Sequence, residues 1–306
     1  MRSMRAAGVA MAVDSERAMA SRQQLRRRPP SERPRRVSPR RSGRPSELRA
    51  RLIVAVPAIA LASFIVAEGG LLFAAALLVL GWICLDELYR ITRRAHPARL
   101  AGFASLLALL IAAHFGARDQ VLLVAVAALP ATFLVSLLTP RASLVGVAIT
   151  LLGIWWIGVA LAHAVLLRSL PHGGGIVIDV LVGTFVGDTG AYLGGRAFGR
   201  RQLAPRISPN KTVEGLVLGV FCAIVSVWFA SLYQPWLQKG DAILLGVGVA
   251  IAAPIGDLFE SFIKRQAGVK DTGRVFGAHG GALDRLDAVL FSAAVSYYVW
   301  LAILHA

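Results

Sequence analysis

The sequence predicts an all-α, polytopic membrane protein with about nine transmembrane helices and a polar site on the cytoplasmic side. Of its 306 residues, 56% are hydrophobic and 16% are charged, and the mean hydropathy is +0.64. Apolar stretches of about 18 to 25 residues recur along the chain, the length that a helix needs to cross about 30 Å of hydrocarbon. Their length and number exclude the buried helices of a soluble protein.

Three regions follow from this pattern. Residues 1–50 form a polar tail, 51–170 an N-terminal transmembrane region, and 171–306 a C-terminal transmembrane region that contains most of the polar clusters. The predicted spans lie at 51–67, 69–88, 99–116, 120–139, 142–167, 175–195, 213–233, 242–262 and 284–304.

The tail is rich in arginine, proline and serine and has almost nothing to bury, so we expect it to be disordered. It holds 14 arginines and four acids, which is +10 of the net charge of +16. A signal-peptide pattern is absent. We interpret the tail as a cytoplasmic segment that contacts anionic lipid head groups, with no need for a nucleic-acid partner.

The loop charges predict the orientation, because positively charged loops stay in the cytoplasm. The basic loops at 89–99, 139–141, 195–211 and 261–287 fall on the same side as the tail when the spans are counted. The intervening loops have little net charge. This predicts a multi-pass protein of the plasma (inner) membrane whose C-terminus lies outside.

The first polar cluster is "FVGDTGAYLGGRAFGR". On a helix, Asp188, Tyr192, Gly195 and Gly199 lie on one side at spacings of three and four. A carboxylate inside an apolar span costs about 2.5–3.5 kcal/mol on insertion scales, so Asp188 should line a polar cavity or contact a cation.

The second cluster is "RISPNKTVEG". Ser208 is the predicted N-cap of a helix, and Lys211, Thr212 and Glu214 would lie in its first turn. Free N–H groups beside a hydroxyl and an ammonium make a phosphate site. The alternative is an ordinary cap beside a lysine that faces lipid.

The third cluster begins with "GDLFESFIKR", where Asp257, Ser261 and Lys264 share one helix face and Glu260 is adjacent. A glycine-rich loop with His279 follows, and "LDRLD" then starts the last helix with Asp284 and Asp287 one turn apart. These carboxylates with lysines nearby suit Mg²⁺ and bound phosphates, whereas a zinc site lacks partners. Only four of the 33 basic residues are lysines, and Lys211, Lys264 and Lys270 all lie in the clusters.

The stretch 261–287 resembles the signature of phosphatidate cytidylyltransferases, the CDP-diacylglycerol synthases, and the resemblance extends over about 180–290. That signature reads S-x-x-K-R, four residues, K-D-x-G, then H-G-G and D-R-x-D. It is filled here by Ser261, Lys264, Arg265, Lys270, Asp271, Gly273, His279, Gly280, Gly281, Asp284, Arg285 and Asp287.

The resemblance implies that CTP and phosphatidate react to CDP-diacylglycerol and pyrophosphate with Mg²⁺, and a second cation is left open. It implies Asp257, Asp284 and Lys264 as catalytic residues. The metal would be bound by Asp257 and Asp284, with Asp188 and Asp287 in support. Substrate-binding residues would be Ser208, Lys211, Thr212, Glu214, Ser261, Arg265, Lys270, Asp271, His279 and Arg285.

Two alternatives stay open at this stage. One is a CTP-dependent enzyme that acts on another lipid phosphate, since acyl chains are bound by apolar grooves without a short motif. The other is an ion-coupled transporter in which intramembrane acids bind the ion, although no internal repeat is seen. The expected partners are CTP, phosphatidate and membrane lipids, and a homodimer is left open.

Overall fold

The computed structural model describes residues 45–138, 141–273 and 280–306, with side chains from residue 57 onward. The chain divides into two units, residues 1–56 and 57–306, and the second contains the features discussed below. Residues 1–44 of the predicted disordered tail and His279 lie outside the described residues. Residues 45–50 begin the helix Pro45–Glu68, so the prediction of disorder is wrong for that end of the tail. The predicted boundary at residue 170 stays a prediction.

Almost every described element is a helix. The helices before the first strand are α1 (Pro45–Glu68), α2 (Gly70–Ile91), α3 (Arg99–Phe115), α4 (Arg118–Leu137), α5 (Leu144–Gly153), α6 (Ala160–Ser169) and α7 (Gly173–Phe198). A short hairpin of β1 (Gln202–Ala204) and β2 (Ser208–Thr212) follows, then α8 (Val213–Ala230), α9 (Lys239–Gln266) and α10 (Leu283–Leu304). The all-α membrane fold is therefore confirmed in its coarse form.

Seven described helical segments are long and apolar enough to cross a membrane. One of them, Leu144–Ser169, joins α5 to α6 through a π-helical segment, Ile154–Val159. The part of α1 whose side chains are described, Pro57–Glu68, and α3, Arg99–Phe115, are apolar but shorter.

The apolar core lies where α2, α3, the π-helical segment, α6, α7, α9 and α10 meet. Leu85 and Leu88 of α2 and Ile154 and Ile157 of the π-helical segment have no exposed surface. Many large apolar side chains elsewhere are exposed, as Leu123 and Phe133 are on α4. A helical bundle that faces lipid needs no polar outer surface.

Small residues let α7 and α8 approach closely. A Cβ on Gly215 of α8 would lie 2.6 Å from the carbonyl oxygen of Ala191 in α7, and one on Gly219 would lie 2.8 Å from Ala191 Cβ. Close backbone approach of this kind drives helix association in membranes, where the hydrophobic effect contributes little. This pair of helices forms two walls of the cavity described next.

Candidate active site

A cavity of about 580 Å³ lies between α7, α8 and α9. Glycines and alanines form much of its wall, because the helices carry small side chains on the faces that meet there. Its polar lining residues are Asp188, Tyr192, Arg196, Asn210, Lys211, Thr212 and Asp257. Residues from all three predicted clusters therefore surround one space.

Lys211 and Asp257 form an ion pair at this cavity. Lys211 lies on β2, whereas Asp257 lies on α9, so the pair joins two segments that are 46 positions apart in the sequence. Asp188 lines the same cavity from α7. The contact confirms that the second and third clusters lie together, which the sequence alone could only suggest.

A second group of charges lies between the end of α9 and the start of α10. Lys264 Nζ is 2.5 Å from Glu260 Oε2 and 2.9 Å from Asp284 Oδ1. The Lys264 side chain is 16% exposed and the Glu260 side chain 1%. One ammonium thus contacts two carboxylates in a largely buried position, where removing it would leave both acids without their partner, which is costly.

Asp284 also accepts hydrogen bonds from backbone amides. Its Oδ2 lies 2.7 Å from the Gly281 nitrogen and 3.1 Å from the Thr272 nitrogen. The side chain lies in the first turn of α10, where a negative charge is favoured by the helix dipole. Asp284 therefore holds the backbone at Thr272 and Gly281 as well as the ammonium of Lys264.

Three carboxylates on α9 and α10 converge on one point. One oxygen each from Asp257, Glu260 and Asp287 lies within 4.8 Å of the others. Glu260 Oε1 is buried and has no hydrogen-bond partner among the described residues. Carboxylate oxygens are hard donors, and one oxygen of this group is buried without a hydrogen-bond partner in the described part of the chain. Such a group suits a hard divalent cation such as Mg²⁺. The group therefore fits the metal that the sequence predicts, but its members differ in part: Asp257 and Asp287 were predicted ligands, Glu260 was not, and the predicted ligand Asp284 is not among the three.

The other residues of the third cluster make longer polar contacts than Lys264 does, or are exposed. Ser261 Oγ is 3.5 Å from Asp257 Oδ1, and Arg265 donates to the Ile207 carbonyl at 3.2 Å, which ties α9 to the hairpin. Lys270 and Asp271 are exposed in the loop after α9, and Arg285 is exposed on α10.

The predicted N-cap at Ser208 is wrong. Residues 208–212 form strand β2, in which Ser208 pairs with Ala204 and Thr212 with Gln202. The helix begins at Val213, and the Thr212 hydroxyl caps it by accepting from the Gly215 amide at 3.1 Å. The backbone of residues 208–212 forms its hydrogen bonds with β1, so no helix begins at Ser208. Lys211 consequently lies on a strand, ahead of the helix.

Glu214 lies in the first turn of α8, as predicted, and holds the backbone of the preceding turn. Its Oε2 accepts from the amides of Arg200 and Arg201 at 3.0 and 3.2 Å. These bonds fix the segment that connects α7 to the hairpin. Glu214 thus supports the backbone next to the site. It is not among the described residues that line the cavity.

Two acids of this region received no role from the sequence. Glu260 was noted only as adjacent to the third cluster, yet it completes the group of three carboxylates. Glu87 of α2 contacts the loop before α10, far from it in sequence. The signal available for Glu87 was a pair of acids, Asp86 and Glu87, near the end of an apolar span, since acids within such spans are rare and functional by default.

The chain belongs to the Cytidylyltransferase family, whose pattern matches residues 49–303. It is 32% identical over 252 residues to a phosphatidate cytidylyltransferase of Staphylococcus aureus strain COL, covering 80% of this chain and 95% of that protein. It is 38% identical over 146 residues to the phosphatidate cytidylyltransferase of Mycobacterium leprae, covering 46% of each chain. The Haemophilus influenzae enzyme of that name is 38% identical over 132 residues, 42% of this chain and 45% of that one.

Proposed function

We propose that this protein transfers the cytidylyl group of CTP to phosphatidate, giving CDP-diacylglycerol and pyrophosphate for phospholipid synthesis. Its relatives bear the name of that activity, and the signature resemblance covers the same residues. The observation that carries the proposal is the convergence of Asp257, Glu260 and Asp287 beside Lys211 and Lys264.

The reaction requires little acid–base chemistry. An oxygen of the phosphatidate phosphate, largely ionised at pH 7, attacks the α-phosphorus of CTP. The bond from that phosphorus to the oxygen bridging to the β-phosphorus breaks, and pyrophosphate leaves with the electron pair. The protein must hold two anionic substrates in line and compensate their charge.

Asp257, Glu260 and Asp287 would hold Mg²⁺, which when bound neutralises negative charge on the triphosphate. Asp284, which the signature resemblance implies as a ligand, and Asp188, which lines the cavity, stay in the proposed ligand set. Asp284 also orients Lys264 through their direct contact.

Lysines supply the compact positive charges that phosphates need. Lys211 lines the cavity and Lys264 lies beside the three carboxylates. Arg265 and Lys270 follow on the exposed side, where a soluble triphosphate would arrive. The apolar wall of the cavity, built from α7, α8 and α9, is suited to the lipid substrate.

The proposal places the site at the cytoplasmic face of the plasma (inner) membrane. Seven long apolar helical segments support a multi-pass protein. The basic loops near residues 89–99 and 195–211 support the orientation, because such loops remain in the cytoplasm. In this arrangement α1 and α3 also cross, which gives nine spans.

A radiolabelled CTP assay with the purified protein tests the proposal. Phosphatidate should yield labelled CDP-diacylglycerol, whereas an isoprenoid phosphate of similar length should yield at most a small fraction of that rate. Label transfer to the isoprenoid phosphate alone would show that the substrate is another lipid phosphate and not phosphatidate. Failure of transfer to both would contradict the proposed activity.

A further inference from the structure

Glu87 is a carboxylate of α2 that is directed at the loop before α10. It is 2% exposed. Its Oε1 accepts from the Ala282 amide at 3.1 Å, and its Oε2 accepts from the Leu283 amide at 2.9 Å. The Thr272 hydroxyl donates to the same Oε2 at 3.2 Å. Three hydrogen bonds thus compensate a charge whose burial would otherwise be expensive.

Two described segments of the loop, residues 272–273 and 281–283, lie against this carboxylate. A Cβ on Gly273 or on Gly281 would collide with the carboxyl oxygens of Glu87. Both glycines belong to the signature stretch, and each leaves room that a side chain would fill. The loop backbone therefore approaches Glu87 closely from two sides, as only residues without a Cβ permit.

Glu87 and Asp284 bind the same two short segments. The Thr272 amide donates to Asp284 while its hydroxyl donates to Glu87. The Gly281 amide donates to Asp284, and the next two amides donate to Glu87. A shift of the loop away from Glu87 would move the donors that orient Asp284, and with them the ammonium of Lys264.

We infer that Glu87 is a positioning residue: it anchors residues 272–273 and 281–283 so that Asp284 and Lys264 keep their geometry beside the three carboxylates. The inference rests on the proposed function for its link to activity. It assigns a role in the C-terminal site to the N-terminal transmembrane region. Supporting groups of this kind typically change metal affinity or activity by about 10–100-fold when removed.

Glu87→Gln tests the inference most directly. It keeps the size of the side chain but replaces one accepting oxygen with an NH₂ group, which then faces a backbone amide or the Thr272 hydroxyl, both of them donors. Asp86→Asn is the matched control on the same helix, since Asp86 pairs with Arg90 at 2.5 Å and with Arg99 and lies outside the loop contacts. For each protein we would measure thermal unfolding, CTP-to-lipid turnover across a Mg²⁺ titration, and Mn²⁺ binding by electron paramagnetic resonance.

We expect Glu87→Gln to lower turnover about tenfold or more and to raise the Mg²⁺ and Mn²⁺ concentrations for half-saturation several-fold, while Asp86→Asn stays within twofold. Turnover per folded molecule and metal half-saturation both within twofold of wild type would overturn the inference. If Glu87→Gln does not fold, Thr272→Val removes a single bond and should shift both quantities in the same direction; no shift would overturn it. A wild-type protein that binds Mn²⁺ but makes no CDP-lipid would instead refute the proposed function.

Discussion

Lys264 Nζ lies 2.9 Å from Asp284 Oδ1, and this contact joins the last turn of α9 to the first turn of α10. The same ammonium is 2.5 Å from Glu260, one of the three converging carboxylates. Lys264 therefore links the candidate metal group to the loop held by Asp284 and Glu87. A phosphate that approaches the carboxylates would meet this ammonium and that of Lys211, which pairs with Asp257.

Lys264→Arg should be a poor substitute although it keeps the charge. The guanidinium is a planar fork, larger than the compact ammonium, and the side chain it replaces is only 16% exposed between two acids. We expect turnover to fall at least about tenfold, the order of effect for a misplaced electrostatic contact. Lys239→Arg, at the exposed start of the same helix, is the control and should stay within twofold. Equal turnover in both variants would exclude a specific role for the ammonium.

Gly215→Ala should destabilise the contact between α7 and α8. The added Cβ would lie 2.6 Å from the Ala191 carbonyl oxygen, so the helices would have to separate. Overpacking of this kind costs about 1–3 kcal/mol, which a thermal melt in detergent would report as a lower Tm. Gly240→Ala in α9 meets nothing within 4 Å and should be neutral or slightly stabilising. A Tm for Gly215→Ala equal to that of Gly240→Ala would contradict the close packing.

Single cysteines test the orientation of the loops. Arg206 and Lys270 are exposed next to the candidate site, and Pro235 is exposed in the loop between α8 and α9. In a background without the two native cysteines, Arg206→Cys and Lys270→Cys should react with an impermeant maleimide only from the cytoplasmic side. Pro235→Cys should react only from outside. Opposite sides for the first two positions would refute a shared cytoplasmic site.

The coarse fold followed from the sequence because a span of about 20 apolar residues has few alternatives to a helix. The hairpin between α7 and α8 did not follow. Ser208 and Pro209 are residue types that commonly begin a helix. The segment is a strand because it pairs with Gln202 and Ala204, and local residue preferences contain no information on that pairing. The observed cap is Thr212, which accepts from the Gly215 amide and which the sequence placed inside the first turn.

Only part of the candidate site could be selected from the sequence. Asp257 and Lys211 could be selected because each stands among polar residues at a helix end or in a recognised signature. Glu87 could not be placed, since two of its three partners are backbone amides, which leave no mark on sequence composition, and all three lie nearly 200 positions away. Contacts between distant segments are set by packing, and one sequence contains no direct record of them.

The central claim is that Asp257, Glu260 and Asp287 hold the divalent cation on which cytidylyl transfer depends. Asp257→Asn preserves size and removes the charge, and Asp241→Asn at the far end of α9 is the matched control. The most direct measurement is CTP-to-phosphatidate turnover across a Mg²⁺ titration, with Mn²⁺ binding and a thermal melt on the same samples. We predict that Asp257→Asn folds normally, loses about 10²–10³ in turnover and binds Mn²⁺ much more weakly, while Asp241→Asn matches wild type. Near-normal turnover with an unchanged metal dependence in Asp257→Asn would contradict the claim.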